Sequence, residues 1–139
     1  MKKITVCYLL AAIASFSFAS CSKTRDGLGL DTIRNNARAG KWEVTHQIYL
    51  GSSSEPTTSN NLTEGAAYAE FKSDNKVHFY NSSGVENPAD AKTYSFLDTK
   101  SILYGGDEFK IQENLAGSFA KMTLQRSTAT GREVYIFQR

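Results

Sequence analysis

The chain is poor in residues that cross-link, ligate or kink. Of its 139 residues, two each are cysteine, histidine, proline and methionine, and one is tryptophan. Cys7 lies inside an apolar stretch near the N-terminus and Cys21 just after it. The remainder has no thiol pair, so its fold has to stand on a packed core without disulfides. The two histidines, His46 and His78, stand at none of the ligand spacings of a zinc site. No Gly-x-Ser-x-Gly elbow occurs, and acidic pairs such as Asp107-Glu108 fall in turn-like sequence, where solvated charge accounts for them. No enzymatic activity, metal or cofactor is expected. Long apolar runs are also missing. The only one, Ile4 to Phe18, is shorter than the roughly 20 residues a spanning helix needs, and behind Lys2 and Lys3 it reads as a cleaved export signal.

Setting residues 1–20 aside changes the charge. The formal +2, from 16 basic and 14 acidic residues, belongs to Lys2 and Lys3, and the rest is balanced with its signs interspersed. That composition gives no electrostatic reason to expect nucleic acid or anionic lipid as a partner. Its length fits one domain of about 100 residues. The expected organisation is a signal peptide over 1–20, an anchor and tether over 21–30, and a folded domain over 31–139.

Phe18-Ala19-Ser20-Cys21 resembles the bacterial lipobox. The resemblance implies that Cys21 is acylated, becomes the N-terminus after cleavage and holds the protein on a membrane. Two or three acyl chains do this durably, whereas one anchors only marginally. Cleavage near Ala19 by a general signal peptidase, with Cys21 left free, is the alternative. No acidic residue follows directly in Ser22-Lys23-Thr24-Arg25, so the expected location is the outer membrane of the bacterial envelope, facing the periplasm. Asp31-Thr32-Ile33 resembles a short acceptor for O-glycosylation of exported proteins, and it reads equally well as a plain helix start.

Residues 22–30 are polar and glycine-bearing, as in a flexible spacer. Asp31 predicts a brief helix through Ala39, ended by Gly40. Beyond it Trp42, Val44, His46, Ile48 and Leu50 alternate with polar neighbours over nine residues, the clearest strand in the chain. Further strand-like runs at 66–72, 76–80, 92–97, 101–104, 108–113, 119–126 and 133–138 bring the expectation to eight. Most breaks are short turns, which join antiparallel neighbours and cannot hold crossover helices. An all-β fold follows, a small eight-stranded antiparallel up-and-down β-barrel with a short N-terminal helical turn, closed to remove its edges. The long polar stretch from Gly51 to Gly65 reads as a lid or as tolerated surface length.

Gly40-Lys41-Trp42, after a helical turn and before a long first loop, resembles the opening of the lipocalin-like, or calycin, barrels. The run from Ala69 to Val77 resembles the small lipocalin-like domains found in bacterial lipoproteins. The resemblance implies that Trp42 packs across one end of the barrel beneath an arginine, with Arg139 the first candidate and Arg126 the second. It also implies a ligand site inside. Strict alternation turns His46 inward with Trp42 and Val44, and Tyr94 and Tyr104 join it as candidate ligand-binding residues. Val134 and Ile136 are the expected inward pair of the last strand. Two functions remain open: binding of a small apolar or amphipathic ligand, or a filled barrel that acts through its surface, binding another envelope protein or inhibiting an enzyme. A continuous apolar pocket of about 300 Å³ or more would favour the first.

Overall fold

The structure, a computed structural model, describes residues 23–139. The signal-like stretch and Cys21 lie outside the described residues. Helix α1 spans Lys23–Arg38. It begins well before the cap expected at Asp31 and takes up most of the stretch read as a spacer. Gly27 and Gly29 conceal it in the sequence because glycine is a poor helix former. Its inner stripe is Leu30, Ile33 and Ala37, at helical spacing and packed on the core.

Nine strands follow: β1 Glu43–Leu50, β2 Thr58–Asn61, β3 Tyr68–Phe71, β4 Lys76–Tyr80, β5 Lys92–Phe96, β6 Ser101–Tyr104, β7 Asp107–Ile111, β8 Lys121–Thr128 and β9 Gly131–Gln138. They form one antiparallel sheet in the order β2-β1-β9-β8-β7-β6-β5-β4-β3. The sheet curls until the residue before β1 meets β3, where Trp42 N donates to Ala69 O at 2.9 Å and Ala69 N to Trp42 O at 2.8 Å. That junction is a single bridge. The expected count of eight is therefore corrected to nine.

The extra strand, β2, lies inside the stretch read as a lid or loop. It registers Thr45 with Asn61 and Ile48 with Thr58, so this part of the stretch is sheet. Thr63 pins its end: it is 2% exposed, and its Oγ1 accepts from Val44 N at 2.8 Å. The β8–β9 connection is also tighter than the expected loop at 127–132. Thr128 pairs with Gly131 across a two-residue turn. Glycine is required at 131, because a Cβ there would stand 2.0 Å from Tyr49 O.

Register decides which side chains face inward, since directly opposed residues share a face. Val44 opposes Phe137, His46 opposes Tyr135 and Ile48 opposes Glu133. Across the next ladder Met122 opposes Phe137, Leu124 opposes Tyr135 and Arg126 opposes Glu133. The inner residues of β9 are thus Glu133, Tyr135 and Phe137. The expectation for Val134 and Ile136 is corrected: they oppose Gln47 and Thr45 on the other face. Around Trp42 the interior is solid, with Phe71, Leu115, Met122 and Phe137 almost fully buried and the Trp42 ring centroid 5.9 Å from that of Phe119. Helix α1 sits against this end, where Trp42 Nε1 donates to Ala37 O at 2.8 Å.

Candidate functional site

At the other end the inner face turns polar. Asp107 on β7, Arg126 on β8, Glu133 on β9 and His46 on β1 form a chain across neighbouring strands. Arg126 Nη1 lies 2.9 Å from Asp107 Oδ1 and its Nε 2.6 Å from Glu133 Oε2, while His46 Nε2 lies 2.9 Å from Glu133 Oε1. Burial alone would raise the Glu133 carboxyl, but hydrogen bonds from Arg126 and His46 outweigh it and bring the group below the usual range. Glu133 is thus an anchored carboxylate, with its charge answered by Arg126 and its other oxygen bonded to the His46 ring. The His46 ring stacks on Tyr135 at a centroid separation of 4.3 Å. Burial, then the Glu133 charge, pushes the Tyr135 phenol up to about 12.

Next to this network is a cavity of about 280 Å³ lined by His46, Leu62, Phe79, Asp90, Lys92, Tyr104 and Tyr135. It gathers side chains from β1, β4, β5, β6 and β9, from Leu62 just after β2, and from the 3₁₀ turn Pro88–Asp90. Tyr104 is 3% exposed, yet among the described residues its hydroxyl has no hydrogen-bond partner. An unpaired buried hydroxyl costs about 1–3 kcal/mol, and few native polar groups are left in that state. Its phenol is pushed up by burial and then by the neighbouring Tyr135.

Of the three residues expected at a ligand, the structure brings His46 and Tyr104 to this cavity. Tyr94 is elsewhere. Its hydroxyl donates to Lys72 O at 2.8 Å and accepts from Arg38 Nε at 2.9 Å, so it ties α1 to the sheet. Inner-face alternation was right for Tyr94, but a strand passes through the full depth of the interior and parity does not give depth. Glu133, Tyr135, Lys92 and Asp90 were missed. For Glu133 a signal existed: Arg126 and Glu133 are placed symmetrically about Ala129-Thr130, as an opposite-charge pair in a tight hairpin would be.

The Trp42 end carries Gly40 and Arg139. The Arg139 guanidinium lies over the Trp42 ring at 4.6 Å, and its Nε donates to Phe119 O at 3.1 Å and its Nη1 to Asn36 O at 3.2 Å. Arg126 stands instead over Phe109 at 5.3 Å. A Cβ on Gly40 would come within 3.0 Å of Arg139 Nη1, so the glycine leaves room for the arginine to lie flat.

On the outer face, His78 Nδ1 is 2.5 Å from Glu86 and Nε2 2.7 Å from Asp74. The carboxylates sit on opposite ring nitrogens and do not converge on one point. Among the described residues no group of three or more His, Cys, Asp or Glu side chains is arranged to hold a metal ion, and no helix is long and apolar enough to cross a membrane. The chain matches no protein-family model and no curated protein.

Proposed function

We propose that this is a lipid-anchored protein of the bacterial envelope, held by Cys21 in the outer membrane, whose curled sheet is a lipocalin-like barrel with β2 as an added strand, and which binds one small amphipathic ligand. The Trp42–Ala69 bridge, the Arg139–Trp42 stack and Gly40 support the barrel reading. The observation that carries the binding reading is a cavity of about 280 Å³ whose lining includes Tyr104, a residue whose buried hydroxyl has no partner among the described residues. The reading is binding without chemistry. Among the described residues no serine, threonine or cysteine lines the cavity, and the His46 ring is held by Glu133.

The size of the cavity sets the class of ligand. At about 280 Å³ and with polar as well as apolar lining, it lies just below the usual range of ligand sites, which starts at about 300 Å³, and the interior toward Trp42 is filled, so a long acyl chain finds no room. The filled interior also favours a second reading, in which the domain binds another envelope protein through its surface.

The test is a small-fragment panel read by thermal shift on the wild type and on Phe79→Trp, whose larger ring takes up cavity space. A ligand at 100 times its Kd stabilises by about 2.7 kcal/mol. Fragments that stabilise the wild type and lose their effect in Phe79→Trp support the reading. A panel with no effect on either protein moves the function to the surface.

A further inference from the structure

The cavity also carries information about the charge of its ligand. It has one lining cation and one lining anion, Lys92 and Asp90, and they are not equivalent. Both are exposed, and Asp90 Oδ2 accepts from the neutral Asn87 Nδ2 at 2.5 Å, which engages that oxygen without cancelling its charge. Lys92 opposes Val77, which is fully buried, and the register therefore places Lys92 on the inner face. Among the described residues its ammonium has no ion pair and no hydrogen bond. Glu133, the other nearby carboxylate, is already answered by Arg126 and His46. The lining donors without a partner among the described residues are thus the exposed Lys92 ammonium and the buried Tyr104 hydroxyl, and both can bond to the oxygens of a carboxylate. The remaining walls are flat or apolar. His46 and Tyr135 present a stacked pair and Phe79 a third ring, and aromatic faces receive a planar ring in offset or edge-on geometry.

We propose that the ligand is a small monocyclic aromatic carboxylate, its carboxylate held by Lys92 and Tyr104 and its ring against His46, Tyr135 and Phe79. This rests on the cavity being a binding site at all. Charge sets the orientation: the ring is placed by the aromatic walls, and Lys92 selects an anion over a neutral or cationic compound of the same shape.

The experiment uses three probes of one shape, benzoate, benzyl alcohol and benzylamine. Each is titrated into the intact chain by calorimetry, with NMR shifts followed at Tyr104 and His46. Benzoate is expected to bind most tightly and to shift both residues. Lys92→Gln and Tyr104→Phe are each expected to weaken it roughly tenfold, the loss of one charge-assisted hydrogen bond, while leaving benzyl alcohol little changed. Benzyl alcohol or benzylamine binding as tightly as benzoate, with shifts at the same residues, overturns the carboxylate and keeps the cavity as a site. Benzoate binding that neither variant weakens overturns the roles of Lys92 and Tyr104. If no probe binds while the fragment panel yields cavity ligands, the aromatic carboxylate is wrong; if the panel is empty too, the site reading falls with it.

Discussion

Replacing Tyr104 by phenylalanine is expected to stabilise the ligand-free protein, the reverse of what removing a hydrogen-bonding group usually does. The ring stays, together with its edge-on contacts to Tyr135 at 5.0 Å and Phe137 at 5.7 Å, so packing changes little. What goes is a hydroxyl that gives up water on folding and gains no partner. That penalty is about 1–3 kcal/mol. Allowing for the small void left by the oxygen, the net gain is about 1 kcal/mol, or a rise in Tm of roughly 4–8 °C for a domain of this size. Tyr94→Phe is the matched control. The Tyr94 hydroxyl makes two hydrogen bonds, and its loss leaves the Lys72 carbonyl and the Arg38 guanidinium without it, at a cost of about 1–2 kcal/mol. The same chemical change thus carries opposite signs at two rings in one core. Urea unfolding at constant m measures both. A Tyr104→Phe protein less stable than wild type by about 1 kcal/mol or more refutes the reasoning, because the hydroxyl must then be bonded in solution.

Trp42→Ala is expected to destabilise by about 3–5 kcal/mol, and Arg139→Ala by about 1–2 kcal/mol through loss of the stack and the two carbonyl contacts; a near-neutral Trp42→Ala in denaturant titration rejects a structural role for that ring. Thr63→Val keeps shape but removes the acceptor for Val44 N, and should cost about 1–3 kcal/mol while loosening hydrogen exchange along β2; unchanged exchange there means the loop is held by other contacts. The His78 imidazole is raised, chiefly by its bond to Glu86, which outweighs the opposing effect of burial, with the bond to Asp74 adding to the rise. Its contribution is whole below its unfolded value of about 6.5 and is lost as pH rises through the higher folded value. Asp74 is lowered, first by His78, so its contribution is present above its unfolded value and lost as pH falls through the lower folded one. Wild type should therefore lose more stability than His78→Gln on going from neutral to alkaline pH; parallel curves reject the pair. Cys21→Ala is expected to leave the protein in the soluble fraction, and a variant that still sediments with membranes disproves the lipid anchor.

How much of this was legible in the sequence depended on whether one face of a strand differed from the other. β1 alternates cleanly, so its inner set, His46 included, could be read off. β9 does not: Val134 and Ile136 on one face and Tyr135 and Phe137 on the other are all apolar, and only the ladder with β1 selects between them. β2 reads Thr-Ser-Asn-Asn, with all four residues exposed. It is a strand because β1 offers a free edge and Thr63 fastens the chain beside it, neither of which is a local property. The polar end of the interior was hidden for a related reason. Arg126 and Glu133 look like surface residues until register shows them facing each other on the inner side, where each answers the charge of the other. Cavity depth is beyond pattern altogether, as Tyr94 and Tyr104 show, directly opposed in one ladder and yet in different surroundings.

The pairing of β1 with β9 bears on how the chain reaches this state. Eight registered pairs join residues 43–50 to residues 131–138, and Arg139 meets Asn36 across 103 positions. Contacts so far apart in sequence close late and slowly, in milliseconds to seconds for β-rich domains of comparable topology. Until β9 arrives, the long edges of β1 and β8 are both unsatisfied and open to strands from other molecules. A chain of this design is therefore most exposed to misassembly while it is still being made or moved, and substitutions that weaken β9 are expected to lower yield before they lower stability.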